Sequence, residues 1–117
     1  MRFMQLAKVF HEVPWQPAVD IYACPDGWLV KFDLSGVPPE EIEVSVQGRY
    51  LLISGARRDW VCQADHQCYL MEISYNRFHR AVELPYDLEG ATISLDYRYG
   101  MLLVRLSTGN QSYEWTR

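Results

Sequence analysis

Apolar and polar residues alternate with period two in four separate stretches of the chain. From Trp28 to Leu34, the residues Trp28, Val30, Phe32 and Leu34 share one face, opposite Lys31 and Asp33. From Ile42 to Val46, Ile42, Val44 and Val46 oppose Glu43 and Ser45. Phe78, Val82 and Leu84 alternate with His79 and Glu83, and Ile93, Leu95 and Tyr97 alternate with Thr92, Ser94 and Asp96. Successive side chains of an extended chain point to opposite faces, so each stretch predicts a strand with one face in a core and the other in water. Shorter runs at Val19 to Cys24, Arg49 to Ser54 and Met101 to Leu106 are rich in β-branched, leucine and aromatic residues and read as further strands.

Turn chemistry separates these runs at regular intervals. Pro25-Asp26-Gly27, Ser35-Gly36 with Pro38-Pro39, Gln47-Gly48, Pro85 to Gly90, and Tyr99-Gly100 each supply residues that preset or tolerate turn dihedrals. No long amphipathic helix follows residue 12, and no internal repeat is present. The pattern predicts an all-β fold, a two-sheet antiparallel β-sandwich of immunoglobulin-like architecture. Two stretches stand outside it. Phe3, Leu6, Ala7 and Phe10 recur at helical spacing and are separated from the first strand by Pro14 and Pro17, which reads as a short apolar arm over residues 1–14. Between a strand ending near Gly55 and one beginning near Tyr69 lies a connection, Ala56 to Cys68, that is long for a hairpin. It carries Trp60 and Val61, which are poorly placed if left in water, so a covering surface is expected.

The length of 117 residues suits one domain, since single domains run to roughly 100–200 residues. Apolar runs never exceed four residues, far short of the roughly 18 a membrane helix needs, so no membrane partner is expected. The beginning, Met1 to Lys8, has no run long enough for the hydrophobic region of a signal peptide, and three cysteines, Cys24, Cys62 and Cys68, cannot pair fully within one chain. Both point to the cytoplasm. A net charge of −4, with Arg57-Arg58 the densest basic cluster, argues against nucleic acid as a partner.

Candidate chemistry is sparse. Cys62, His66 and Cys68 are ligand types for zinc, but three ligands at Cys-x3-His-x-Cys spacing match no recurrent zinc pattern, and no metal is assigned; free thiols or an oxidation-sensitive disulfide are the alternatives. His11, His66 and His79 are scattered, and Ser54-x-x-Arg57 has no activating base, so no catalytic residue is assigned and the chain reads as a non-enzyme. No Gly-x-x-x-x-Gly-Lys loop is present to cradle nucleotide phosphates, and no cofactor is expected.

Several motifs, met in order, resemble the small heat-shock proteins of the bacterial type. They are Trp15-Gln16-Pro17-Ala18-Val19-Asp20-Ile21-Tyr22, Leu34-Ser35-Gly36-Val37, Glu41-Ile42-Glu43-Val44, Ile53-Ser54-Gly55, Phe78-His79-Arg80 with Leu84-Pro85, and Gly100-Met101-Leu102-Leu103-Val104-Arg105-Leu106, which is similar to that family's Gly-x-Leu-x-Val signature. The resemblance implies an α-crystallin domain over residues 15–107, between the arm and a tail at 108–117. It also implies an ATP-independent holdase that binds partly unfolded proteins and suppresses their aggregation. The chain departs from the family where it has Ser35, Leu95 and Ser107, and Asn76 where glycine is common; asparagine visits positive φ more readily than other residues with a β-carbon. Its tail lacks the usual Ile/Val-x-Ile/Val plug and offers Tyr113-x-Trp115 instead.

On this resemblance the client-binding candidates are Phe3, Met4, Leu6 and Phe10 of the arm, although the arm can also fold onto its own sandwich. A groove is expected at Ile42, Val44, Val46, Ile93 and Leu95, unless these residues are simply core. Trp60, Val61 and Arg80 are candidates for the interface of a homodimer formed by loop exchange, with larger oligomers left open and an ordinary surface role as the alternative for Arg80. A second family of sandwiches, the CS domains of co-chaperones that bind a specific folded partner, is the alternative reading.

Overall fold

The computed structural model describes residues 14–108. Among them each alternating stretch becomes a strand, in the order β1 (Val19–Cys24), β2 (Gly27–Asp33), β3 (Ile42–Gln47), β4 (Tyr50–Arg57), β5 (Asn76–Glu83), β6 (Thr92–Arg98) and β7 (Met101–Ser107), with a 3-10 turn at Pro39–Glu41 leading into β3. All pairings are antiparallel; one sheet runs β1-β2-β7-β6 and the other β3-β4-β5. The two sheets form the expected all-β sandwich. None of the described residues forms a helix long and apolar enough to cross a membrane.

Register explains which rows face inward. Trp28, Val30 and Phe32 of β2 stand beside Leu106, Val104 and Leu102 of β7, and Leu51 and Ile53 of β4 are paired with Val82 and Arg80 of β5. Val30, Phe32, Leu34, Leu51 and Val104 have no accessible surface, and no polar or charged residue is buried among those described. Each such apolar side chain adds about 1.5–3 kcal/mol by leaving water, so the rows of β2, β4 and β7 dominate the stability. Leu84 and Leu88, in the connection between β5 and β6, close one end, with their amides donating to the carbonyls of Arg49 and Gly48.

Two backbone features are dictated by residue type. Tyr99 and Gly100 have φ of 54° and 76°, the left-handed pair of a type I′ turn, whose twist matches that of the strands β6 and β7 it joins. At Gly55, a β-carbon would lie 2.1 Å from the Glu41 carbonyl oxygen and 2.6 Å from the Phe78 ring, so glycine is what lets the 3-10 turn and that ring close over β4. Asn76 has φ 66°, in the left-handed region that asparagine tolerates better than other residues with a β-carbon.

The strand boundaries differ from expectation on either side of the long connection. Arg49 belongs to the β3–β4 turn, while β4 runs on to Arg57 because β5 supplies a partner as far as Asn76. The strand expected from near Tyr69 begins only at Asn76. Among the described residues of one chain, 69–75 have no strand to pair with: β4 has ended, and Trp15 takes the outer side of β5, accepting from the His79 amide and donating to the Arg77 carbonyl.

Candidate docking surfaces

The sandwich is closed on one flank and open on the other. On the closed flank Trp15 to Ala18 cross between the sheets: Trp15 bridges to Phe78, and the Asp33 amide donates to the Ala18 carbonyl at 3.0 Å. On the opposite flank lie β3 and β6, each the free edge of its sheet. The Tyr97 hydroxyl ties β6 to the segment entering β3, lying 2.8 Å from the Leu34 carbonyl oxygen and 2.7 Å from that of Val37; its single proton serves one at a time. Burial raises the Tyr97 pKa above the ordinary tyrosine value.

The inward rows of these edges hold the five residues expected at a groove, together with Tyr97. Ile42, Val44 and Val46 are half-buried and pack against the core. Ile93 and Leu95 oppose Leu106 and Val104 on the inward side of the sheet, yet are 40% and 54% exposed. They are therefore not core: no strand of the second sheet covers them.

The connection at 58–75 exposes a series of large apolar side chains. Trp60 is 87% exposed and Tyr69 98%, and Val61, Leu70 and Ile73 are exposed as well. Asp59 shapes its start, accepting from the amides of Val61 and Cys62, and a turn from Gln63 to His66 follows. Trp60 and Val61 stand in this connection as expected, and Tyr69, expected at the start of a strand, lies in it too; the run Tyr69-Leu70-Met71, apolar with no alternation, is the local signal against a half-buried strand there.

Arg80 stands in the inward row of β5, between Phe78 and Val82, and is half-buried. Its guanidinium donates to the Pro17 carbonyl at 2.9 Å, which seats it against the linker on the closed flank. Arg57, to which sequence reasoning attached no role, makes more contacts than Arg80: it donates to the carbonyls of Ser74 and Ser35 and lies over the Trp15 ring. Nothing local in Gly55-Ala56-Arg57-Arg58 distinguishes it, because its partners lie up to 42 positions away in sequence and meet only in the fold.

Cys24, Cys62 and Cys68 are free, and the His66 Nδ1 accepts from the Gln63 amide in the local turn. No group of three or more His, Cys, Asp and Glu side chains is placed to hold a metal among the described residues. Glu43, Ser54 and His79 are neighbours across β3, β4 and β5 on the outward face, where they line a shallow depression of about 430 Å³. The arm candidates Phe3, Met4, Leu6 and Phe10, and Tyr113 and Trp115 of the tail, lie outside the described residues.

Residues 20–114 match the family described as Hsp20/alpha crystallin. The chain is 30% identical over 90 residues to spore protein SP21 of Stigmatella aurantiaca, a match covering 77% of this chain and 53% of that protein. It is also 30% identical over 99 residues to a heat shock protein of Dictyostelium discoideum, of whose length it spans 24%. Among solved structures, hspA from Xanthomonas axonopodis superposes with a TM-score of 0.69 at 30% identity, covering 81% of this chain and 95% of that one.

Proposed function

The chain belongs to the Hsp20/alpha crystallin family, and from that premise we propose that it is an ATP-independent holdase, which binds partly unfolded proteins and keeps them from aggregating. The observation that carries the reading is the apolar surface the sandwich leaves open, Ile93 and Leu95 at one sheet edge and Trp60, Val61 and Tyr69 on the long connection. Such surface on a folded domain marks an interaction site. The mechanism is mass action. A holdase that prefers unfolding states lowers the free concentration of the aggregating species without covalent chemistry, and several weak contacts acting together suffice.

In this reading Phe3, Met4, Leu6 and Phe10 of the arm hold clients, since flexible Met and Phe side chains repack against varied partners. The row Ile42, Val44, Val46, Ile93 and Leu95 is a groove for an extended segment, and the tail offers Tyr113 and Trp115, alternate residues that point the same way in an extended chain. The connection carrying Trp60 and Val61 is exchanged with a second copy to form a two-fold dimer, with Arg80 near that interface. Support comes from residues 69–75, which are mostly apolar and pair with no strand among the described residues of one chain, and from β1, a free edge with Ile21 and Tyr22 exposed. We place the protein in the cytoplasm, consistent with three free thiols.

The test is light scattering from a heat-destabilised enzyme, without ATP, as the protein is added up to and beyond one dimer per client. Suppression near stoichiometry upholds the holdase. No suppression by folded protein, together with a stable complex with an ATP-dependent chaperone, favours the CS-domain type of adaptor and overturns it.

A further inference from the structure

The guanidinium of Arg57, the last residue of β4, holds together three stretches of chain that are distant in sequence. Nε and one terminal nitrogen donate to the Ser74 carbonyl at 2.9 and 2.6 Å, and the other terminal nitrogen donates to the Ser35 carbonyl at 2.9 Å. The same group lies 4.3 Å from the centre of the Trp15 ring and 5.8 Å from that of Tyr75, within the range of cation–π attraction. Trp15 is fixed in turn: its indole N–H donates to the Asn76 carbonyl at 3.2 Å and its ring rests 5.2 Å from that of Phe78.

This cluster sits where the long connection returns to the sandwich. One end of residues 58–75 is covalently continuous with Arg57, and the other end, Ser74 and Tyr75, is held by the Arg57 side chain. The left-handed φ of Asn76 turns the chain sharply at that point. Trp15, beneath the guanidinium, is also where the N-terminal segment joins the fold. A planar fork that can serve two carbonyls while stacking on a ring is what arginine has and lysine lacks.

We propose that Arg57 is the positioning residue of the connection: by clamping both ends of residues 58–75 it sets the direction in which they leave the sandwich, and so the affinity of the dimer. The proposal rests on reading that connection as the exchanged segment.

Four full-length or loop-deleted proteins test it: wild type, R57A, R57K and a variant lacking residues 59–66. Hydrogen–deuterium exchange reports on Ser74–Asn76 and on the strands, and sedimentation over a dilution series gives the dimer dissociation constant. In R57A the strands keep their protection, Ser74–Asn76 lose about tenfold or more of theirs, and the dissociation constant rises by about tenfold or more, as expected for losing a charge-assisted clamp. Should R57A fail to fold, R57K, which keeps the charge and the stem but cannot span both carbonyls, carries the same test. Unchanged protection in a folded variant overturns the proposal. Lost protection with an unchanged dissociation constant also overturns it wherever the loop deletion abolishes the dimer, because Arg57 is then only a local brace. If the loop deletion leaves the dimer intact, the exchange reading has failed by itself; protection at Ser74–Asn76 then decides whether Arg57 anchors the connection.

Discussion

Replacing Leu95 by alanine separates a docking row from a core row. Full burial of a leucine side chain is worth about 1.5–3 kcal/mol, and Leu95 keeps 54% of its surface exposed, so truncation should remove roughly 1 kcal/mol from the unassembled domain. Leu51 is the control. It has no accessible surface and stands between Val46 and Val82 in the inward row, so Leu51→Ala loses the transfer term and leaves a cavity, about 2–5 kcal/mol in all. Urea unfolding at concentrations low enough to prevent assembly measures both, with an unchanged m-value as the check that only stability has moved. Leu95→Ala should lower the midpoint by about a third of the Leu51→Ala shift, and should weaken assembly at high concentration if the row is a docking surface. Equal losses for the two variants would refute the reasoning, since Leu95 would then be covered within a single chain in solution.

Gly55→Ala should destabilise the fold by at least about 1–3 kcal/mol, read as a fall in the thermal midpoint, because the added methyl meets the Glu41 carbonyl and the Phe78 ring. Tyr97→Phe leaves the Leu34 and Val37 carbonyls without that hydroxyl and should lower stability by about 1–3 kcal/mol at neutral pH. The pH dependence supplies a second check. Because burial raises the Tyr97 pKa above 10.0, the unfolded chain loses this proton first; the group's contribution is whole below pH 10 and falls away as pH rises through the folded-state value. Wild type should accordingly lose stability above pH 10 more steeply than Tyr97→Phe, and parallel curves would remove the assignment. Truncating Met1 to Val13 should weaken protection of a heat-labile client in the scattering assay while leaving the dimer mass unchanged; full protection from the truncated protein would sink the arm's role.

Much of the architecture is legible in short-range pattern. A period of two needs only that neighbouring side chains point to opposite faces, so Trp28 to Leu34 and Ile42 to Val46 announce their strands without reference to anything distant. The turn at Tyr99-Gly100 is legible for the same reason, since φ preference is a property of one residue. The ends of β4 and the late start of β5 were not legible, because a strand ends where its partner ends, and Arg57 pairs with Asn76 across the whole connection.

Alternation therefore determined, from sequence alone, that this chain has inward and outward rows and enough of them for two sheets. It could not determine which inward rows are covered. Leu51 and Leu95 both read as apolar positions in strands, yet one is sealed and the other open, because β4 lies at the centre of its sheet and β6 at an edge. Strand order is a tertiary fact, set by which pairings close the largest apolar area over the whole chain. The same holds for Arg57, whose meaning comes from Trp15, Ser35 and Ser74 arriving at one place. Side-chain direction is written in the local chain; what stands opposite it is decided only when the chain has folded.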